Sequence, residues 1–272
     1  MTDAPQGREP QAPTHIYLYD EPDAAGLDVS EIGGYLASMF PKAEVETRRD
    51  FFTHQFARFS PEEQAQLEPE VVRQLEIARV EDLAGESGAL IGAPLPPEEL
   101  GLEFVFDAAR FRAILRLLVD PSEAGAGHVH IALTNHALGV WPGEGSPFRL
   151  GILFTGTPAI ISLVGLVEAL PRPREYDFRR AQMAILGMPE EAIEELADQF
   201  ADRTFGYADP RINEVCKGYA LMACVHEITG EESCPDPDCR LHAAQNQEEL
   251  IRLQCESATL CDRHRELLAG LG

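Results

Sequence analysis

Residues 212–239 read INEVCKGYALMACVHEITGEESCPDPDC, and in this stretch a helix, its stop and a metal-type turn follow one another. Val215, Tyr219, Met222 and His226 fall at offsets of 0, 4, 7 and 11, one stripe of a helix. Cys216, Ala220, Ala223 and Glu227 form the neighbouring stripe. His226 is therefore expected to face the protein near the helix end, with Glu227 at the edge of the buried face. Gly230 is suited to the left-handed backbone that closes a helix. Beyond it, Cys234-Pro-Asp-Pro-Asp-Cys239 carries two thiols across a Pro-rich turn, and Cys261-Asp-Arg-His264 supplies a C-x-x-H pair after 21 intervening residues.

Two short pairs of sulfur or nitrogen ligands, separated by about a dozen or two residues, are how small structural zinc sites close a tetrahedron. We therefore read Cys234, Cys239, Cys261 and His264 as a structural zinc knuckle. Cys255 competes for the fourth place, although C-x-x-H grips an ion more compactly than the gap between Cys255 and Cys261. Cys216 and Cys224, inside the helix, read as packing residues. His226-Glu227 is the first half of H-E-x-x-H, in which two His one turn apart hold zinc and the Glu is general base. The second half is missing, because Gly230 stands where the next His belongs. His226 is thus a candidate ligand of a catalytic zinc and Glu227 a candidate catalytic base; the plainer reading is a core His beside a surface Glu.

Outward from this segment the chain alternates strand and helix patterns. Residues 15–19 (HIYLY) read as a strand, and Asp28 with Glu31 opens a helix whose Val29, Ile32, Leu36, Met39 and Phe40 share a face. A second strand is expected at 43–47, a helical pattern interrupted by Pro69 at 61–80, and a Gly/Pro-rich connector at 85–100. A short strand at 104–106 precedes a helix striped by Phe111, Ile114, Leu115 and Leu118. Residues 128–134 (HVHIALT) alternate as a central strand would. The run 150–167 has 18 residues without a charge, long enough for a membrane helix to be considered. Gly151, Gly156, Pro158 and Gly165 break it, so it suits two buried strands, or a strand and a following element. Pro189 opens a helix on which Ile193, Leu196 and Phe200 share a face. The expected fold class is α/β (α+β), a mixed twisted sheet with helices. One domain over 15–272 carries the knuckle at 234–264, behind a disordered tail at 1–14.

The chain has 272 residues, with 22 Lys plus Arg against 46 Asp plus Glu, a net charge of −24. Such a charge repels phosphate backbones and anionic lipid, which argues against nucleic-acid and membrane partners. The first 215 residues hold no cysteine, and all six lie in the remainder. Neither a signal peptide nor a transit pattern opens the sequence, so a cytoplasmic protein with metal ligands or core thiols is expected rather than a disulfide framework. His128, His130 and His136 could approach a metal, but alternate strand residues share a face in ordinary packing. Glu231 and Glu232 read as solvated. No Walker loop, dinucleotide fingerprint or Ser/His/Asp elbow is present.

On these residues the C-terminal third resembles the archaemetzincins, zinc metallopeptidases with the pattern HExxHxxGxxHC, x4, C, x, M, x17, C, x2, C. His226-Glu227 matches the start, Cys234 and Cys239 the C-x4-C, and Cys261 with His264 the last C-x-x-C; Leu241 stands at the Met position. Residues 130–138 and 158–166 look like the family's central strand and the segment after it. Between Glu227 and Cys234 this chain has three residues fewer than the pattern, and both downstream His ligands are missing. The resemblance implies a metzincin-like fold, a Cys-rich zinc site and a metallopeptidase with a degenerate active-site motif acting on a peptide or protein substrate. The alternative is an inactive, zinc-stabilised pseudoenzyme or binding module. An active form would need further ligands such as His242, His128, His130 or His136 to reach His226.

Overall fold

The computed structural model describes residues 11–80, 104–141 and 148–271. The strands are β1 (His15–Tyr19), β2 (Glu44–Arg48), β3 (Val105–Asp107), β4 (His128–Thr134), β5 (Ala137–Val140), β6 (Arg149–Leu150), β7 (Leu153–Phe154) and β8 (Ala159–Ser162). The helices that frame them are α1 (Val29–Met39), α2 (Phe51–Phe56), α3 (Pro61–Ala78), α4 (Ala108–Leu118), α5 (Leu163–Glu168), α6 (Arg174–Ile185), α7 (Glu190–Gln199), α8 (Ile212–Thr229), α9 (Gln247–Ile251) and α10 (Asp262–Leu271).

Alternation sorts β1 into two faces, Ile16 and Leu18 on one and Tyr17 and Tyr19 on the other, and all four are buried. A strand covered on both faces lies inside a sheet, and β1 is second in the order β2-β1-β4-β8-β7. The pairs β2-β1, β1-β4 and β4-β8 are parallel; helices lie in the connections of the first two, whereas β5, β6 and β7 lie between β4 and β8. β7 alone runs antiparallel, with Leu153 opposite Ile161 and Phe154 opposite Ile160, and it forms a sheet edge. A smaller sheet, β3-β5-β6, stands beside it. Ile16, Leu18, Ile131, Leu133 and Ile161 pack with α1 and α8, whereas Tyr17, Tyr19, Ala132 and Ile160 pack with α2, α3 and α4. The result is the mixed α/β fold expected, with β4 at the centre of the larger sheet.

Helix α8 is buried on nearly every side, from Ile212 through Val225, which is how a helix that is apolar all round is accommodated. It ends at Gly230, whose φ of 75° is left-handed and whose N–H donates to the carbonyl of His226 at 2.7 Å. Gly218 has a different reason: a β-carbon there would overlap the side-chain amide of Gln254, which lies in a π-helical turn at 252–257. That close approach seats the C-terminal segment on α8.

Some expectations change. Pro69 does not interrupt its helix, because α3 runs unbroken from Pro61 to Ala78. Both Pro69 and Ala65, whose carbonyl loses its helical partner, are exposed, so water can take the missing bond. Of the tail assigned to 1–14, Pro13 is buried and Thr14 donates its N–H to the Gly127 carbonyl at 2.8 Å; residues 1–10 lie outside those described, as does the connector at 85–100. The uncharged run 150–167 resolves into the end of β6, then β7, β8 and most of α5, so it holds both the pair of strands and a following element. Among the described residues no helix is long and apolar enough to cross a membrane.

Candidate metal centre

Cys234, Cys239, Cys261 and His264 come together, with one ligand atom from each lying within 4.8 Å of every other. Three backbone features bring this about. The Pro-rich turn folds the 234–239 pair back on itself, with the N–H of Cys239 donating to the Asp236 carbonyl at 3.2 Å. Cys234 is held by an N–H bond of 2.8 Å to the carbonyl of Leu241. Helix α10 starts at Asp262 and so projects His264 from its first turn, back over Cys261.

The distances fit zinc. A tetrahedral ion with bonds of about 2.3 Å to sulfur and about 2.0–2.1 Å to nitrogen has S···S edges of roughly 3.8 Å and S···N edges of roughly 3.5 Å. The Sγ atoms of Cys234 and Cys261 are 3.7 Å apart, and His264 Nδ1 lies 3.2 Å from Cys261 Sγ and 3.6 Å from Cys239 Sγ. Backbone N–H groups point at the sulfurs, from Asp236 to Cys234 at 3.4 Å and from Cys261 to Cys239 at 3.5 Å. Such donors stabilise thiolate, the form that ligates metal. Burial pushes the Cys239 thiol up to about 12. At Cys261 burial also raises the pKa, but the backbone N–H of His264 and the neighbouring thiols outweigh it and hold the group below its ordinary value. Burial, with Arg263 beside it, lowers the pKa of His264 and favours neutral imidazole, again the ligating form.

A second layer surrounds these four. Arg263 forms a fork on Glu231 with two bonds of 2.6 Å, and Glu231 Oε2 stands 3.7 Å from His264 Nε2. Glu231 is therefore engaged rather than solvated, whereas Glu232 is exposed as expected. Nothing in the local sequence marks Glu231, because its partner is 32 positions away. Cys255 is not in the cluster; it is half-buried on the π-helical turn, its thiol raised to about 11 by burial. Cys216 and Cys224 are fully buried in α8, and burial alone takes Cys216 up to about 12. They pack, as their helical positions indicated.

His226 is half-buried, and its Nδ1–H donates to the carbonyl of Glu231 at 3.1 Å. It thus ties the turn after α8 to the helix end. Glu227 is exposed and borders a cavity of about 60 Å³ beside Gly127 and His128. Adjacent helix residues point about 100° apart, which sends Glu227 away from the side His226 occupies. No further metal-binding group of three or more ligands forms among the described residues. The other histidines have their own partners. His128 meets Tyr17 at 3.1 Å; His130 accepts from the Tyr19 hydroxyl at 3.0 Å and donates Nε2–H to the Glu123 carbonyl at 3.1 Å. His136 stacks on Phe106, and His242 donates Nδ1–H to the Cys234 carbonyl at 2.7 Å.

A groove of about 510 Å³ runs beside β7, with Tyr219 and Met222 of α8 on one side and Arg112 of α4 on the other. Glu232 and Ser233, from the turn between α8 and the cluster, also line it, while His226 and Glu227 do not. Sequence reasoning did not anticipate this groove, since it is assembled from α4, the β6–β7 stretch, α8 and two loops.

These features define a mixed α/β protein with a Cys3His centre set behind its principal helix. Residues 12–271 match the family described as Probable metallopeptidase family (DUF6775), and the chain belongs to that family. Among solved structures it is similar to archaemetzincin from Methanopyrus kandleri, at 14% identity over 98% of each chain with a TM-score of 0.41. No curated protein matches.

Proposed function

We propose that this chain is a zinc-stabilised member of the metallopeptidase family that takes an extended peptide in the groove beside β7. The observation that carries the reading is the Cys234, Cys239, Cys261 and His264 cluster, three edges of which, at 3.7, 3.6 and 3.2 Å, lie close to those of a tetrahedral zinc. Bound there, zinc supplies no open coordination position and so serves structure, clamping α10 and the 234–239 turn against the end of α8. The groove supports the peptide half of the reading, because a sheet edge offers backbone groups that an extended chain can pair with.

Hydrolysis would rest on Glu227 as general base and His226 as one ligand of a second, catalytic zinc. A non-hydrolytic reading, a pseudoenzyme or binding module, is favoured by one specific observation: Glu227 stands outside the groove. Metal analysis of protein purified without chelator, together with a broad peptide-cleavage screen, separates the two. Two zincs per chain, with cleavage abolished in Glu227→Gln while both zincs remain, is the result expected of the peptidase. A single zinc with no metal-dependent cleavage leaves the binding module, and zinc-free native protein overturns both readings.

A further inference from the structure

The backbone of β7 decides which of its groups an incoming strand can reach. Ser162 donates its N–H to the carbonyl of Ile152 at 2.8 Å, which makes Leu153 and Ile161 the non-hydrogen-bonded pair of this antiparallel ladder. Ile152 and Phe154 therefore turn their backbone groups toward β8. Those of Leu153, and next in the alternation Thr155, face the other way. Leu153, Phe154 and Thr155 all line the groove.

Of the two outward positions, the second is already taken: Arg112 donates Nη1–H to the carbonyl of Thr155. A peptide pairing with Leu153 cannot continue its ladder past that point and meets a guanidinium instead. Among the described residues Arg112 makes no ion pair, in a chain where acids outnumber bases 46 to 22. It is half-buried, and one hydrogen bond leaves most of its five donors open. The groove residues nearest in sequence to the two bonded partners, Ala108, Ala109 and Phe154, are apolar, and Glu232 is the one carboxylate in the lining. A planar cation with open donors at the end of an open ladder matches a carboxylate.

We propose that Arg112 is a specificity-determining residue that reads a carboxylate on a peptide paired along β7, either the free C-terminus or an acidic side chain. This rests on the peptide-groove reading above but not on hydrolysis. The test is fluorescence anisotropy with the full-length zinc-loaded chain and short labelled β-forming peptides of one sequence. One peptide has a free C-terminus, one is amidated, and two amidated versions carry an internal Glu or Lys.

We expect a carboxylate-bearing peptide to bind about tenfold tighter than the neutral amide, the scale of one charge-assisted pair. Preference for the free C-terminus or for the internal Glu identifies the source. In Arg112→Gln the ratio between the carboxylate-bearing peptide and the amide should fall to about one, and Arg112→Lys should restore part of it. Equal binding of all four peptides by the parent chain, no binding of any, or discrimination that survives in Arg112→Gln overturns the proposal. A fall in Tm for Arg112→Gln with selectivity unchanged would assign Arg112 to holding Thr155 and also overturn it. Absence of cleavage with carboxylate selectivity intact removes the peptidase reading and leaves this inference standing.

Discussion

At the scale of single residues, three thiols and an imidazole meet at zinc-like distances although their side chains come from three separate backbone features. Without an ion, closely spaced thiols have little reason to stay in place, since each buried thiolate lacks a countercharge. Metal binding at such a site is folding free energy. Cys239→Ser should therefore lose the metal and about 3 kcal/mol or more of stability, equivalent to roughly 6–12 °C in Tm for a chain of this size. Cys255→Ser should keep the metal and melt within a few degrees of the parent. Inductively coupled plasma analysis with thermal melts checks both, and retention of zinc by Cys239→Ser would remove Cys239 from the ligand set. The spacing of the cysteines made four candidates legible. The preference for His264 over Cys255 became geometry only when α10 placed the imidazole beside Cys261.

Helix α8 and the π-helical turn at 252–257 interact through the absence of a side chain. Replacing Gly218 by Ala gains about 1 kcal/mol of helix propensity. Against this, Gln254 is fully buried and tied on both sides by Arg240, donating its Nε2–H to the Arg240 carbonyl at 2.8 Å and accepting from Arg240 Nε at 3.2 Å. With no room to yield, overpacking costs about 1–3 kcal/mol or more, so Gly218→Ala should be net destabilising. Gly34, in α1, is the contrast: a β-carbon there meets nothing within 4 Å. Gly34→Ala should stabilise by about 0.5–1 kcal/mol. Urea unfolding of the two variants tests the pair, and a stabilised Gly218→Ala would refute the packing account. Periodicity alone gives both glycines the same status. It also gave Pro69 too much weight, because it cannot register that the affected carbonyl faces water.

Over the whole molecule, the face of the sheet opposite α8 hides a polar network. Arg48 is buried, forks Glu123 with two bonds of 2.7 Å and donates to the Tyr19 hydroxyl at 3.0 Å. Tyr19 also accepts from Gln55 at 2.9 Å and donates to His130. Burial drives the His130 pKa down to about 4, against about 6.5 in an unfolded chain. The folded state thus takes up this proton later than the unfolded state does. Its contribution is fully present above pH 6.5 and is lost progressively as pH falls toward 4, by up to about 3 kcal/mol. His130→Gln should flatten the stability slope in that window relative to the parent. Taking the difference cancels His54, His136 and His264, whose pKa values are lowered as well. Parallel slopes for the two proteins would contradict this assignment. His130 and Arg48 lie 82 positions apart, and no local pattern announces their meeting.

Residue order alone determined the alternation of strands and helices, the buried stripe of α8, its stop at Gly230 and the short list of candidate metal ligands. These depend on periodicity, backbone preference and spacing over a few residues, all of which act locally. Only the tertiary structure decided that His264 completes the cluster, that Glu231 braces it, that Glu227 points away from the groove and that Arg112 ends the open ladder of β7. Each of those outcomes depends on where separate elements cross, and crossing is set by side-chain packing across the two faces of one sheet rather than by any stretch of sequence.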